Sequence, residues 1–298
     1  MTDTGTREAA AIAAELSDIR ARDPEAVARA ARDRKRRREP VNPSGRALIV
    51  AADHPARGSL AIGGRPMVMA DRADLLARLR VALARPGVTG VLAAADVLED
   101  LLLLGALDDK LVFGTMNRGG LAGSAFEIDD RFTAYDADGI VASGLDGGKM
   151  LLRIDVTDPA TADTLESCAH AVSTLAARKR LAMIEPFMSA RVDGTVRNDL
   201  SPDAVVHAIA IASGLGTTSA YTWLKVPIVA GMERVLAATT LPTLVLGGEL
   251  DDDSGAVYER WRAALRLPTV RGLVAGRALL YPPDGDVAGV VDRIAGLC

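Results

Sequence analysis

Histidine is scarce in this 298-residue sequence: only three are present, His54, His170 and His207, far apart and with no H-x-x-x-H pair or cysteine at a metal-ligand spacing. A metal centre built from several imidazoles is therefore disfavoured, and neither a metal nor another cofactor is expected. The two cysteines, Cys168 and Cys298, give no disulfide framework and no metal spacing, which suits a reducing cytoplasm. Aromatic residues make up only 3%, too few for a base-stacking platform. There is no excess of positive charge either: the formal net charge is -4, so nothing electrostatic points to nucleic acid or an anionic membrane. Long apolar runs are missing too. Val97 to Leu107 is interrupted by acids and too short to span a bilayer, and the first residues lack the apolar core of a secretory signal. A cytoplasmic protein acting on a small molecule is the expectation.

The first 45 residues read as a helical extension, rich in Ala, Arg and Glu over 6–38 and open to a break at Pro24. The basic run Arg32 to Arg38 reads as a solvated helix face, given the acidic total. Pro40, Pro43 and Gly45 then punctuate the chain. From Arg46 onward, strand-like and helix-like stretches alternate. Strands are expected at Ala47–Ala51, Val88–Ala93, Lys110–Gly114, Lys149–Asp155, Leu181–Glu185, Ala220–Val226, Thr243–Leu246 and Val270–Ala275. A helical pattern follows most of them, and an unusually long polar connection runs from the third to Gly148. Eight βα units over about 250 residues predict an α/β protein with a (β/α)8 TIM barrel over 46–298. The competing fold, a doubly wound nucleotide-binding sheet, would want G-x-G-x-x-G after its first strand. The loop there reads Asp53-His54-Pro55-Ala56-Arg57-Gly58 instead.

In such a barrel, chemistry sits at the C-terminal ends of the strands. Lys225 lies near the end of the sixth strand, sharing a face with Tyr221 and Trp223. Burial would lower the pKa of its ammonium and free a nucleophilic amine; the competing possibility is a strand-end lysine that reaches solvent. Lys149, Leu151, Arg153 and Asp155 share one face of strand four, beside Glu185 at the end of strand five. Lys149 is thus either a second interior ammonium or a structural ion pair closing the barrel floor. Glu185 is placed to move protons. Gly247-Gly248 and Gly276-Arg277 follow strands seven and eight, where barrels hold phosphate, though tight turns would look the same.

Several of these segments resemble the class I, Schiff-base aldolases related to deoxyribose-phosphate, archaeal-type fructose-bisphosphate and tagatose-bisphosphate aldolases. The resemblance rests on Ala52-Asp53-His54 with Arg57-Gly58-Ser59-Leu60, Gly148-Lys149-Met150-Leu151-Leu152, Ile184-Glu185-Pro186, Trp223-Leu224-Lys225-Val226, Gly247-Gly248-Glu249 and Gly276-Arg277-Ala278-Leu279-Leu280. It implies that Lys225 is the Schiff-base lysine, Lys149 its electrostatic companion, and Asp53 and Glu185 acid/base groups. Arg277 would bind phosphate, with Arg153 and Arg57 as further anion ligands. Phe126-Glu127-Ile128-Asp129-Asp130-Arg131 in the long connection also resembles a group of actinobacterial (β/α)8 proteins that accompany myo-inositol catabolism genes. That likeness suggests cleavage of 2-deoxy-5-keto-gluconate 6-phosphate. A non-catalytic sugar-phosphate-binding barrel and a sugar-phosphate isomerase or epimerase using Glu185 as base are the alternatives. A homo-oligomer is expected, with the N-terminal helix packing on a neighbour or covering the barrel floor.

Overall fold

The structure, a computed structural model, describes residues 3–247 and 254–298. Nine strands, β1 (Ala47–Ala52), β2 (Gly90–Ala93), β3 (Leu111–Thr115), β4 (Gly147–Ile154), β5 (Leu181–Val192), β6 (Thr195–Asn198), β7 (Thr222–Val226), β8 (Thr243–Leu246) and β9 (Val270–Ala275), form one sheet among the described residues. Every pairing is parallel except the hairpin between β5 and β6, and β4 pairs with β5 to close the ring. Eight of the strands are therefore the staves of a (β/α)8 TIM barrel, and β6 stands outside the ring.

Around the ring lie α3 (Arg72–Leu83), α4 (Ala95–Leu103), α5 (Ala137–Ala142), α6 (Ala160–Ala177), α7 (Pro202–Ser213), α8 (Met232–Leu236), α9 (Ser254–Leu265), α10 (Arg277–Leu280) and α11 (Val287–Ala295). The helix starts are written locally. Asp71 accepts from Asp74 N at 3.0 Å, Ser201 caps α7 ahead of Pro202, and Asp286 caps α11. Among the described residues no helix is long and apolar enough to cross a membrane.

Strand alternation sorts the apolar residues into two cores. Leu48, Val50, Leu152, Ile184, Leu224 and Val245 point outward into a large cluster with the helices. Ile49, Ala51, Leu92, Phe113, Met183, Trp223, Leu244 and Val274 point inward and form a second, smaller cluster that fills part of the barrel. Gly272 marks an irregular register, where β8 and β9 shift between Thr243 and Leu244. Its φ of +142° and the Ala47 carbonyl, 1.8 Å from where a Cβ would sit, require glycine there.

The N-terminal segment forms two helices, α1 (Asp3–Arg22) and α2 (Glu25–Asp33), separated at Pro24. They pack on α3 and α4 respectively. The basic run is only in part the solvated face expected from composition: Arg32, Lys35, Arg36 and Arg38 are exposed, but the run is also tied into the protein. Arg34 is buried and donates to Lys110 O and Gly144 O at 2.9 Å each, and pairs with Asp146 at 3.2 Å. Arg36 binds the same carboxylate and Arg37 reaches Asp109. These acids and carbonyls precede β3 and β4, so the run clasps the floor of the chain's own barrel. Charge counting could not find this, because the partners lie more than 70 residues away.

Candidate active site

The face-sharing residues of the strands converge above the inner apolar cluster. Register sets their heights: Lys149 is level with Met183, Leu151 with Glu185, and Arg153 with Phe187. Met183 in turn pairs with Trp223 on β7, which puts Lys225 beside Glu185. Asn117 holds this part of β4 in place, accepting from Leu151 N at 2.8 Å and donating back to Leu151 O. Apolar Trp223 and Met183 therefore lie one layer below Lys225 and Glu185, which accounts for how dry these groups are.

Glu185 bridges the two lysines. One carboxylate oxygen is 2.8 Å from Lys225 Nζ and the other contacts Lys149 Nζ. Lys149 also lies 3.2 Å from Asp53, and Asp53 pairs with Arg118. Arg118 Nε donates to Thr115 Oγ1 at 2.6 Å, fixing the guanidinium against Asp53. All five charged residues are buried, with Lys149 at 2% and Lys225 at 5% exposure. The expected lysine pair is thus present, with a carboxylate between the ammonium groups instead of bare repulsion. Lys149 does not close the barrel floor.

Three cations (Arg118, Lys149, Lys225) face two carboxylates (Asp53, Glu185), an excess of one positive charge in a desolvated cluster. Burial lowers the Lys149 ammonium to about 8, only partly opposed by Asp53 and Glu185. For Glu185, burial acts upward, but Lys149 and Lys225 outweigh it and hold the carboxyl at about 2. Asp53 behaves alike: burial is outweighed by Arg118 and Lys149, and its pKa falls well below the usual carboxylate value. His54 is pushed by burial down to about 4 despite Asp53, 3.8 Å away, so its imidazole is neutral at pH 7.

These groups line a cavity of about 410 Å³, a size suited to a small metabolite. Asp53, Arg57, Lys149, Arg153, Glu185, Lys225, Gly247, Gly276 and Arg277 all border it. Gly248 lies outside the described residues. The candidate anion ligands differ in how they are engaged. Arg57 is committed to the protein, donating to Asn117 O at 2.8 Å, to Gly120 O and to the buried Asp130. Arg153 pairs through Nη1 with Glu127 at 2.6 Å. Gly276 has no room for a side chain: an added Cβ would come within 2.9 Å of Ala51 O and 3.0 Å of His54 Cε1. Arg277 follows directly as the first residue of α10.

Arg118 is, with Asn117, one of the polar residues that the sequence places after the third strand, though it carries no assigned role there; three further cavity residues, His54, Glu127 and Asn198, are not singled out as site candidates from sequence. His54 directly follows Asp53. Glu127 comes from the long connection, and Asn198 from β6 of the β5–β6 hairpin, which borders the cavity through Val196 and Asn198. Nothing in their local sequence announces a place in the cavity.

Comparison with known proteins follows the same lines. A family model described as Cgl0159-like matches residues 45–295. The crystal structure of Cgl0159 from Corynebacterium glutamicum is 52% identical, covers 96% of each chain and superposes with a TM-score of 0.92. An archaeal fructose 1,6-bisphosphate aldolase is similar in fold at 17% identity, covering 86% of this chain and 95% of its own, with a TM-score of 0.63. A fructose-bisphosphate aldolase from Slackia heliotrinireducens is similar at 13% identity over 85% of each chain, with a TM-score of 0.61. No curated protein matches the sequence.

Proposed function

The chain belongs to the Cgl0159-like family, and we propose that it is a metal-independent class I aldolase that cleaves a phosphorylated keto-sugar through an imine on Lys225. The observation that carries this reading is the buried Lys225 amine, 2.8 Å from a carboxylate that also binds a second buried lysine, inside a cavity at the C-terminal end of the barrel. Solved aldolases share the fold, which makes the chemistry compatible with this scaffold without assigning it.

A nucleophilic amine must be neutral, and the bridged pair offers a route. With Lys149 at about 8, roughly a tenth of it is unprotonated at pH 7. In that fraction Lys225 gives its proton to the Glu185 carboxylate, and the carboxyl so formed passes that same proton on to neutral Lys149, leaving Glu185 ionised again. Neutral Lys225 then attacks the ketone, and loss of water from the carbinolamine gives the iminium. Cleavage of the carbon–carbon bond sends its electron pair into the iminium, forming an enamine. Asp53 or Glu185 takes the hydroxyl proton of the departing aldehyde. The backbone at Gly247 and Gly276, with Arg277, holds the phosphate. The substrate proposed first is 2-deoxy-5-keto-gluconate 6-phosphate, in a cytoplasmic route of inositol catabolism; the sequence resemblance supports that choice.

Borohydride reduction in the presence of this sugar phosphate tests the chemistry. Mass should be added at Lys225, no adduct should form in Lys225→Ala, and EDTA should leave turnover intact. An adduct that persists in Lys225→Ala, or loss of activity with EDTA, sinks the reading. Aldehyde release in a coupled assay separates a lyase from an isomerase or a silent binder.

A further inference from the structure

The cavity has a second cationic wall that the proposed chemistry does not use. β4 and β9 are four strands apart in a ring of eight, so Arg153 on β4 and Arg277 after β9 stand on opposite sides of the mouth. Arg153 lies four residues beyond Lys149 on the same face, about 13 Å further along the strand at ~3.3 Å per residue. The reactive lysines thus lie deeper, with a guanidinium above them on each side.

Arg153 is buried, yet only its Nη1 is bonded, to Glu127 Oε1 at 2.6 Å and Glu127 O at 3.1 Å, among the described residues. Glu127 belongs to the connection between β3 and α5. Its other oxygen accepts from Gly123 N at 2.8 Å. The base of this connection is pinned separately, by Arg57 on Gly120 O, Asn117 O and Asp130. The tip, residues 121–127, carries the exposed Leu121 and Phe126 and reaches the cavity through Ala122 and Glu127. A carboxylate of the protein, on a loop tip with a fixed base, therefore sits on a cavity arginine that has unbonded donors left over.

Charge points the same way. Arg57, Arg118, Lys149, Arg153, Lys225 and Arg277 around the cavity are six cations, against four anions in Asp53, Glu127, Asp130 and Glu185. Among the described residues the lining thus holds more cations than anions, His54 being neutral, and the imbalance grows when Glu127 withdraws.

We propose that Arg153 receives a carboxylate of the substrate at the wall opposite Arg277, and that Glu127 is the internal counter-ion this carboxylate displaces. The inference rests on the phosphate-binding part of the reading above and gives the carboxylate of a sugar acid phosphorylated at the far end, such as the substrate proposed there, its own receptor in this chain. It makes Arg153 a specificity-determining residue and the 121–127 tip a latch that opens as the substrate enters.

Calorimetric titration with three probes tests it: 6-phosphogluconate, glucitol 6-phosphate and glucitol 1,6-bisphosphate. None has a ketone, so imine formation plays no part, and a failed borohydride trap would leave this result standing. A charge-assisted bidentate contact predicts that wild-type protein binds 6-phosphogluconate at least tenfold tighter than glucitol 6-phosphate. The preference should vanish in Arg153→Met. Glu127→Gln, which keeps the loop's shape and removes the competing charge, should tighten 6-phosphogluconate severalfold. Equal binding of the first two probes, no binding of either, or a preference that survives Arg153→Met overturns the proposal. Tighter binding of the bisphosphate than of 6-phosphogluconate overturns the carboxylate assignment.

Discussion

Replacing Glu185 by Gln should expose how much the buried charges depend on one carboxylate. The amide keeps the shape but removes a negative charge that faces Lys225 at 2.8 Å and also contacts Lys149. The inner cluster then holds three cations against Asp53 alone. Removing one partner of a buried ion pair costs about 3–5 kcal/mol, and Glu185 serves two lysines, so a loss in the upper half of that range is expected at pH 7. The cluster has one escape, which is to release a proton from Lys149. The wild-type ammonium already titrates at about 8, against 10.5 for an ordinary lysine. Between those values the unfolded chain binds more protons than the folded one, so this group makes stability rise with pH there, by at most about 3 kcal/mol. Without Glu185 the folded-state value falls further, and the rise begins at lower pH while the wild type is still flat. The deficit of the variant is therefore largest at pH 7 and below, and narrows by about 1 kcal/mol or more by pH 9.5. Urea denaturation followed by circular dichroism at pH 6, 7 and 9.5 measures this. A deficit under about 1 kcal/mol at pH 7, or one that does not change with pH, would refute the bridged cluster. The same variant should slow borohydride trapping about a hundredfold at pH 7, the range for loss of a positioned proton carrier.

Two further outcomes follow from the charges. Because Glu185 is held at about 2 against 4.5, its contribution is fully present above pH 4.5 and is lost as pH falls toward 2. An acid titration should show the wild type losing up to about 3 kcal/mol across that window, and Glu185→Gln a shallower slope. At the barrel floor, Arg34→Ala strips Asp146 of one partner and leaves Lys110 O and Gly144 O without their donors. A loss of about 3 kcal/mol is expected, seen as a fall of several degrees in Tm. An unchanged Tm would mean the N-terminal segment is not fastened there.

Local chemistry was enough to specify the barrel. Alternating runs such as Ala47–Ala51, Thr243–Leu246 and Val270–Ala275, separated by helical patterns, gave eight βα units, and the structure closes them in that order. The same alternation put Lys149 with Arg153 and Trp223 with Lys225 on inward faces, because a strand's period of two is a property of the backbone alone. What the sequence could not carry was pairing across distance. The extension of β5 into a hairpin with β6 was missed, since a strand leaving the barrel has no different local pattern from a loop. The partners of Arg34 and Arg153 were invisible for the same reason, as each ion pair joins residues far apart in the chain. Lys225 looked like either a reactive amine or a solvent-reaching one. Only the register of β5 between β4 and β7, which sets Glu185 between two lysines above an apolar floor, gives that lysine its partner and its burial. Side-chain identity follows from the chain, but the dielectric around a charge and the charge facing it exist only once the barrel closes.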